Sequence, residues 1–173
     1  SVVAGSAVVA TTLAGCSKLG EKKNATQEVP KGEMTYRLNN KGEKVSILGY
    51  GCMRLPTVSN TSARESGDMI DQDMVNRHVD YAIEHGINYF DTSPAYCKGL
   101  SERAMGIALS RHDRSKYYIA TKLSNFAKST WSFDEGVKMY NKSFKELQVD
   151  YIDYMLLHHL VFQLHHFRLL NLH

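Results

Sequence analysis

The chain has 173 residues, which is enough for one domain and too few for two of ordinary size. Hydrophobic residues make up 43% and charged residues 23%, as in a typical globular protein. The net charge of +3 is small and the basic residues are scattered, which argues against a nucleic-acid partner. Three cysteines lie far apart with no CxxC pair, so this chain alone supplies neither a zinc site nor an iron–sulfur cluster.

The amino-terminal segment has the composition of an export signal. Residues 1–15 are small, apolar and uncharged, which fits the apolar region and cleavage site of a secretory signal, and they are too few to span a bilayer. The order Leu13-Ala14-Gly15-Cys16 resembles the bacterial lipobox, in which the cysteine is lipidated. The alternative is a buried apolar segment. Residues 16–33 are polar and are predicted to form a disordered tether.

These features predict a bacterial lipoprotein that is exported and held at a membrane, on the periplasmic or outer-membrane side, by lipid on Cys16. If the lipobox is not used, the protein is expected in the cytoplasm.

From residue 34 the pattern becomes that of a folded domain. Residues 34–38 and 43–47 flank the turn sequence at 39–42 and predict a β-hairpin. A short buried strand follows at 47–51 and ends in glycine, and residues 56–70 are predicted to be a polar loop.

Helices and strands then alternate along the chain. A helix is predicted over 73–85, with Asp71 as its N-cap, Gly86 as its stop, and an apolar face formed by Val75, Val79, Ala82 and Ile83. A second helix is predicted from Ser101, its expected cap, with Ala104, Met105, Ala108 and Leu109 facing inward. The capping box at 132–135 starts a third helix, whose apolar stripe is Val137, Tyr140, Phe144 and Leu147.

Strands are predicted between these helices, at 87–91, 117–121 and 152–157, and they end on or next to polar residues. Asp91, Lys122 and His158 follow one another at spacings of 31 and 36 residues, which are typical of βαβ units in a parallel sheet. The carboxyl ends of such strands meet at one edge, and Tyr96 lies five residues beyond Asp91, so the four side chains are expected to meet.

This set of residues suggests proton transfer to a carbonyl oxygen. A lysine beside a tyrosine stabilises the phenolate and makes Tyr96 a candidate general acid, while Asp91 pairs with Lys122 and His158 donates a hydrogen bond. Three of the four residues also have an ordinary structural explanation: Asp91 as a turn former, Lys122 as a solvated strand end and Tyr96 as a loop anchor.

The order of motifs is similar to that of the aldo-keto reductase family. The resemblance rests on GINYFDTSPAYCKGLSERAMGIAL at 86–109, together with the hairpin, LGYGCMRL at 48–55, YIATKL at 118–123 and VDYIDYMLLH at 149–158. It implies an α/β fold, a (β/α)8 TIM barrel, with NADPH as hydride donor and a small carbonyl compound as substrate. It also implies that the catalytic residues are Asp91, Tyr96, Lys122 and His158, with Tyr96 as the proton donor.

The resemblance further implies that Gly51, Cys52, Met53 and Asp91 line the cofactor. One departure from the family pattern is Cys97, which stands where a glycine commonly follows the tyrosine.

A complete barrel takes about 250 residues. Only about four of its eight βα units are predicted here, at 34–159. The chain is therefore expected to be the amino-terminal half of the enzyme, and the alternative is a catalytically silent fragment or a binding module with the reductase fold. Residues 160–173 depart from the family and are rich in histidine, which favours a shifted reading frame or a truncation over a metal site. The lipobox and Arg54-Leu55-Pro56 resemble the bacterial branch that often carries a carboxyl-terminal ferredoxin-like, iron–sulfur domain.

Overall fold

The computed structural model describes residues 33–60 and 69–158. The predicted signal, Cys16, all but the last residue of the tether and the tail at 160–173 lie outside these residues. The described elements follow in chain order as β1 (Tyr36–Leu38), β2 (Lys44–Ser46), β3 (Tyr50–Gly51), α1 (Gln72–Glu84), β4 (Tyr89–Asp91), α2 (Ser101–Leu109), β5 (Tyr118–Leu123), α3 (Phe133–Leu147) and β6 (Tyr154–Leu157).

The predicted hairpin is present and is joined to the first βα unit. Strands β1 and β2 pair antiparallel, with Tyr36 opposite Ser46. The Asn39 side chain closes the turn by accepting hydrogen bonds from two backbone N–H groups, each at 2.9 Å. The Tyr36 hydroxyl donates to the carbonyl of Gly86 at 2.9 Å, and the Asn88 side chain accepts from the backbone of Ser46 at 2.8 Å. The hairpin is therefore fixed beside the start of β4.

Strands β3, β4, β5 and β6 form one sheet in that order, and all neighbours are parallel, as predicted. The register places Gly51 beside Asp91, Asp91 beside Ala120, and Ala120 beside Tyr154. The predicted end of β5, at residue 121, is wrong. Strand β5 continues to Leu123, so Lys122 lies inside the strand, because its backbone still pairs with β6.

Helix α1 matches its prediction to within one residue at each end. Asp71 caps it by accepting from the backbone N–H of Met74 at 2.9 Å, and Gly86 follows the helix with a φ of 85°. Val75, Val79 and Ala82 are buried against the sheet and the neighbouring helix, as the apolar spacing indicates.

Helix α2 begins at Ser101, but Ser101 is not its cap. Leu100 holds the N-cap position, and Ser101 is fully buried. Its hydroxyl donates to the carbonyl of Cys52 at 2.9 Å and lies 2.8 Å from the Thr92 hydroxyl. The Ser101 side chain therefore joins the loops that follow β3 and β4 instead of capping the helix.

Helix α3 has the predicted cap, since the Ser132 hydroxyl accepts from the backbone N–H of Glu135 at 3.3 Å. The predicted apolar stripe is only partly buried. Leu147 is 1% exposed, but Val137 is 39% and Tyr140 is 42% exposed. Ser143 is buried instead, because the side of α3 that faces α2 is rotated by about one residue position from the predicted stripe. Periodicity finds the apolar face but does not say which part of it meets a neighbour.

The two sides of the sheet differ in character. Phe90, Ile119 and Thr121 are buried under the helices. The opposite side carries three tyrosines in ring contact: Tyr154 lies 5.4 Å from Tyr89 and 6.3 Å from Tyr118, between ring centroids. Among the described residues, no helix is long and apolar enough to cross a membrane.

Candidate active site

The register of the sheet brings the predicted site residues together at the carboxyl ends of the strands. Asp91 is the last residue of β4 and lies beside Ala120. Lys122 is two residues further along β5, so it points to the same side of the sheet as Asp91 and one step nearer the rim. His158 follows β6 directly, and its backbone N–H donates to the carbonyl of Leu123 at 3.0 Å.

Lys122 is held by two oxygen atoms. Its Nζ donates to Oδ1 of Asp91 at 2.6 Å and to the carbonyl of Thr92 at 2.8 Å. The lysine side chain is 11% exposed and the aspartate side chain 34% exposed. A charge that is so far removed from water needs a partner, and the Asp91 carboxylate supplies it.

Tyr96 completes the set of four. It starts the short 3-10 helix Tyr96–Gly99 that follows β4. The Lys122 ammonium lies over its ring, 4.6 Å from the centroid, in a cation–π contact. The His158 ring meets the same ring edge-on at a centroid distance of 5.9 Å and an angle of 84°. All four residues predicted to be catalytic therefore lie in one cluster.

The loop predicted to line a cofactor lies next to this cluster. The backbone N–H of Cys52 donates to the carbonyl of Asp91 at 2.8 Å. The Cys52 side chain is completely buried, and burial raises the pKa of its thiol well above the ordinary value. Only the backbone of Cys52 can therefore face a ligand. Gly51 and Met53 are exposed, and a Cβ added at Gly51 would meet nothing within 4 Å, so the space above this loop is open.

The family model described as "Aldo/keto reductase family" matches residues 47–170. The chain belongs to the aldo/keto reductase family. L-galactose dehydrogenase of Arabidopsis thaliana is 35% identical over 128 residues, which are 72% of this chain and 38% of that protein. The family is one of oxidoreductases. The resemblance predicted from the order of motifs is thereby confirmed.

Solved reductase structures have the same fold. The aldo-keto reductase AKR11C1 from Bacillus halodurans, in its holo form, is 32% identical with a TM-score of 0.57, over 72% of this chain and 40% of that one. The Bombyx mori aldo-keto reductase AKR2E4, in complex with NADP, matches at 24% identity and a TM-score of 0.53, over 73% of this chain and 38% of that one. The predicted fold, part of a reductase barrel, is confirmed, and the chain spans about two fifths of the length of these relatives.

The departure from the reductase pattern at Cys97 has a structural consequence. Cys97 has φ 49° and ψ 43°, and Lys98 also has a positive φ, of 54°. This left-handed region is one that glycine enters at little cost and other residues enter rarely. The Cys97 side chain is 2% exposed, and its single S–H lies within reach of two carbonyl oxygens, that of Met53 at 3.4 Å and that of Cys52 at 3.6 Å from Sγ. The residue after Tyr96 thus holds the loop at 52–53 through its side chain.

Two serines next to the candidate site were not predicted from the sequence. The hydroxyls of Ser93 and Ser124 lie 2.8 Å apart, and Ser124 Oγ is 2.8 Å from Nδ1 of His158. Their positions carried a signal, since each follows a predicted site residue by two: Ser93 follows Asp91 and Ser124 follows Lys122. An offset of two returns a side chain to the same side of an extended strand.

A buried carboxyl group lies on the helix side of the sheet, away from the cluster. Glu102 is 2% exposed and accepts a hydrogen bond from Thr121 at 2.6 Å. Burial raises the pKa of Glu102, and hydrogen bonds from Thr121 and Ser143 act in the opposite direction. Across residues 33–60 and 69–158, no three His, Cys, Asp or Glu side chains are grouped as metal ligands.

Proposed function

We propose that this chain is the amino-terminal half of an NADPH-dependent reductase that converts an aldehyde or ketone to an alcohol. The observation that carries the proposal is the position of the Lys122 ammonium. It pairs with Asp91 at 2.6 Å and at the same time covers the Tyr96 ring, with His158 against the edge of that ring. In the complete protein, this chain would be joined to the remaining βα units of the barrel.

Each residue of the cluster has a role that follows from its contacts. Tyr96 gives the proton of its hydroxyl to the carbonyl oxygen of the substrate. The Lys122 ammonium offsets the negative charge that the phenolate oxygen then carries. Asp91 holds Lys122 in place, because the two form an ion pair that is partly shielded from water. His158 donates a hydrogen bond to the same carbonyl oxygen and so orients the substrate over Tyr96.

The cofactor would lie over the loop at 51–53 and beside Asp91, where a Cβ added at Gly51 would meet nothing within 4 Å. Gly51 and Met53 offer exposed surface there, and Cys52 offers its backbone. When bound, NADPH supplies a hydride to the carbonyl carbon. The choice of NADPH is part of the proposal, and membership of the family supports it.

The proposal is tested by Tyr96→Phe in the complete protein. This change removes the proton donor and keeps the ring that Lys122 and His158 contact. We expect aldehyde reduction to fall about 10²- to 10⁴-fold, the range for loss of a positioned acid. NADPH binding, followed by fluorescence titration, should survive.

The matched control is Tyr81→Phe, because Tyr81 lies on the exposed side of α1 with its ring stacked on His85. A Tyr96→Phe enzyme with near wild-type turnover would contradict the assignment. A complete protein that binds NADPH but reduces none of a panel of aldehydes and ketones would favour the alternative, a binding module with the reductase fold.

We also propose that the protein is an exported bacterial lipoprotein, anchored to a membrane through Cys16, and that the complete chain carries an iron–sulfur domain after the barrel. Leu13-Ala14-Gly15-Cys16 and the polar segment that follows support the anchor, and Arg54-Leu55-Pro56 supports the branch. In a bacterium that expresses the gene with its full signal, Cys16→Ala should abolish lipid labelling and membrane association. Unchanged labelling would refute the anchor.

A further inference from the structure

A line of consecutive hydrogen bonds connects the backbone N–H of Ala95, in the loop that follows β4, to His158. The backbone N–H of Ala95 donates to Ser93 Oγ at 3.1 Å, and Ser93 Oγ lies 2.8 Å from Ser124 Oγ. Nδ1 of His158 lies 2.8 Å from Ser124 Oγ and 3.4 Å from Ser93 Oγ. Ser93 is fully buried and Ser124 is 8% exposed, so both hydroxyls depend on these partners rather than on bulk water.

The first member of this line constrains the direction of its hydrogen bonds. An amide N–H can only donate, so Ser93 Oγ accepts from Ala95. If Ser93 then donates to Ser124, and Ser124 donates to Nδ1 of His158, each hydroxyl proton has an acceptor within the line. In the reverse direction, Nδ1–H donates to Ser124 and Ser124 donates to Ser93. The Ser93 proton would then need an acceptor other than Ser124 and His158. The first direction is therefore favoured, and it leaves Nδ1 without a proton.

We propose that Ser93 and Ser124 are positioning residues that hold His158 in one neutral tautomer, with its proton on Nε2. This inference rests on the proposed function, in which His158 donates to the substrate carbonyl. A histidine whose proton is on Nδ1 cannot donate from Nε2, so the two serines decide whether the ring is a donor or an acceptor toward substrate. They also fix the ring plane, which stands nearly perpendicular to the Tyr96 ring.

The first test is spectroscopic and needs no turnover. The complete protein is labelled with ¹⁵N-histidine, and the ring is observed at pH about 8.5, where an ordinary imidazole with a pKa near 6.5 is neutral. His158→Asn assigns the signals. We expect a single Nε2–H tautomer in the wild type and a second, Nδ1–H population in Ser124→Ala. A wild-type ring protonated on Nδ1, or an unchanged tautomer in Ser124→Ala, would overturn the inference.

The second test is kinetic. Ser124→Ala should lower kcat about tenfold, a part of what a positioned acid–base group contributes, and KM should change less than about twofold, because the substrate loses orientation rather than contact area. Ser93→Ala should act in the same direction and more weakly, because it leaves Ser124 in place. Ser110→Ala is the matched control, since its hydroxyl donates to a backbone carbonyl on the exposed end of α2.

The readouts separate this inference from the proposed function. A changed tautomer with unchanged turnover would show that the serines do not position His158 for the reaction. If the tautomers behave as expected while the wild type reduces no carbonyl compound, the proposed function fails and the assignment of the ring proton stands.

Discussion

Helices α2 and α3 approach each other closely at Gly106, and replacing this glycine with alanine should be strongly destabilising. A Cβ at Gly106 would lie 2.8 Å from the carbonyl carbon and 2.9 Å from Cα of Leu147, and it would also meet the carbonyl oxygen of Glu146. These are backbone atoms in the last turn of α3, so they cannot rotate away as a flexible side chain would. The helices must separate instead.

The cost follows from that separation. An ordinary carbon–carbon contact is about 3.5–4.0 Å, so α2 and α3 must move apart by nearly 1 Å, which forfeits about a quarter to a half of their dispersion energy. Overpacking of this kind costs about 1–3 kcal/mol. Alanine returns up to about 1 kcal/mol through its helix propensity. Because the obstacle is backbone, we expect the overpacking cost at its upper end and a net loss of about 2 kcal/mol.

The matched control is Gly136→Ala. Gly136 is also helical, but an added Cβ there would meet nothing within 4 Å, so only the gain in helix propensity remains. We expect the complete protein to gain about 0.5–1 kcal/mol. Urea unfolding measures both variants, with the midpoint shifting in opposite directions at constant slope. The prediction assumes that the two backbones leave no space for a methyl group at Gly106. A Gly106→Ala protein as stable as the wild type, or more stable, would refute it.

Three further outcomes follow from single contacts. Cys97 has a left-handed backbone, so the free energy of unfolding of Cys97→Gly should exceed that of Cys97→Ala by about 1 kcal/mol. Equal urea midpoints for the two variants would contradict backbone strain at this position. The pKa of Glu102 is raised in the folded protein, so the folded state binds more protons and stability falls as pH rises from the ordinary glutamate value toward the raised one. In Glu102→Gln this decrease in stability with rising pH should be absent. Parallel curves of stability against pH for the wild type and the variant would contradict the prediction. Lys122→Met removes the cation over Tyr96, so it should lower kcat about 100-fold or more and move the pH optimum, whereas the exposed Lys116→Met should do neither.

The fold and the site cluster were predictable because they depend on local pattern and strand order. Alternation of helix and strand fixes a parallel sheet, and a parallel sheet brings Asp91, Lys122 and His158 to one edge whatever the details of packing. The tertiary choices were not predictable. Ser101 was expected to cap α2, and only the position of the Cys52 carbonyl shows why its hydroxyl turns inward.

The same limit applies to the residues that contact the cluster. A left-handed Cys97 has no signature in one sequence except that glycine is commoner there in the family. Ser93 and Ser124 are ordinary residues until the sheet places their hydroxyls 2.8 Å apart. The sequence predicts which groups form the cluster, and the packing of the loops decides which other groups contact them.

Within the described sheet, β3 and β6 are the outer strands, and each pairs with a neighbour on one side only. A closed barrel has no such edges. The β6 and α3 side also leaves apolar side chains exposed by 39–60%, namely Phe133, Val137, Tyr140, Leu156 and Leu157. Complete burial of such a side chain is worth about 1.5–3 kcal/mol, so each forgoes roughly 1 kcal/mol.

The sum for these five residues is about the lower end of the whole stability of a domain, about 5–15 kcal/mol. We therefore expect residues 33–158, expressed without the remaining βα units, to bind a hydrophobic dye, to unfold without a sharp transition and to reduce no aldehyde with NADPH. Near-UV dichroism, sedimentation and an NADPH titration measure these properties. Supplying the remaining βα units as a separate chain should restore a cooperative transition, because they cover both edges. A soluble monomer that melts sharply and binds NADPH saturably by itself would show that the four-stranded half already contains a sufficient core.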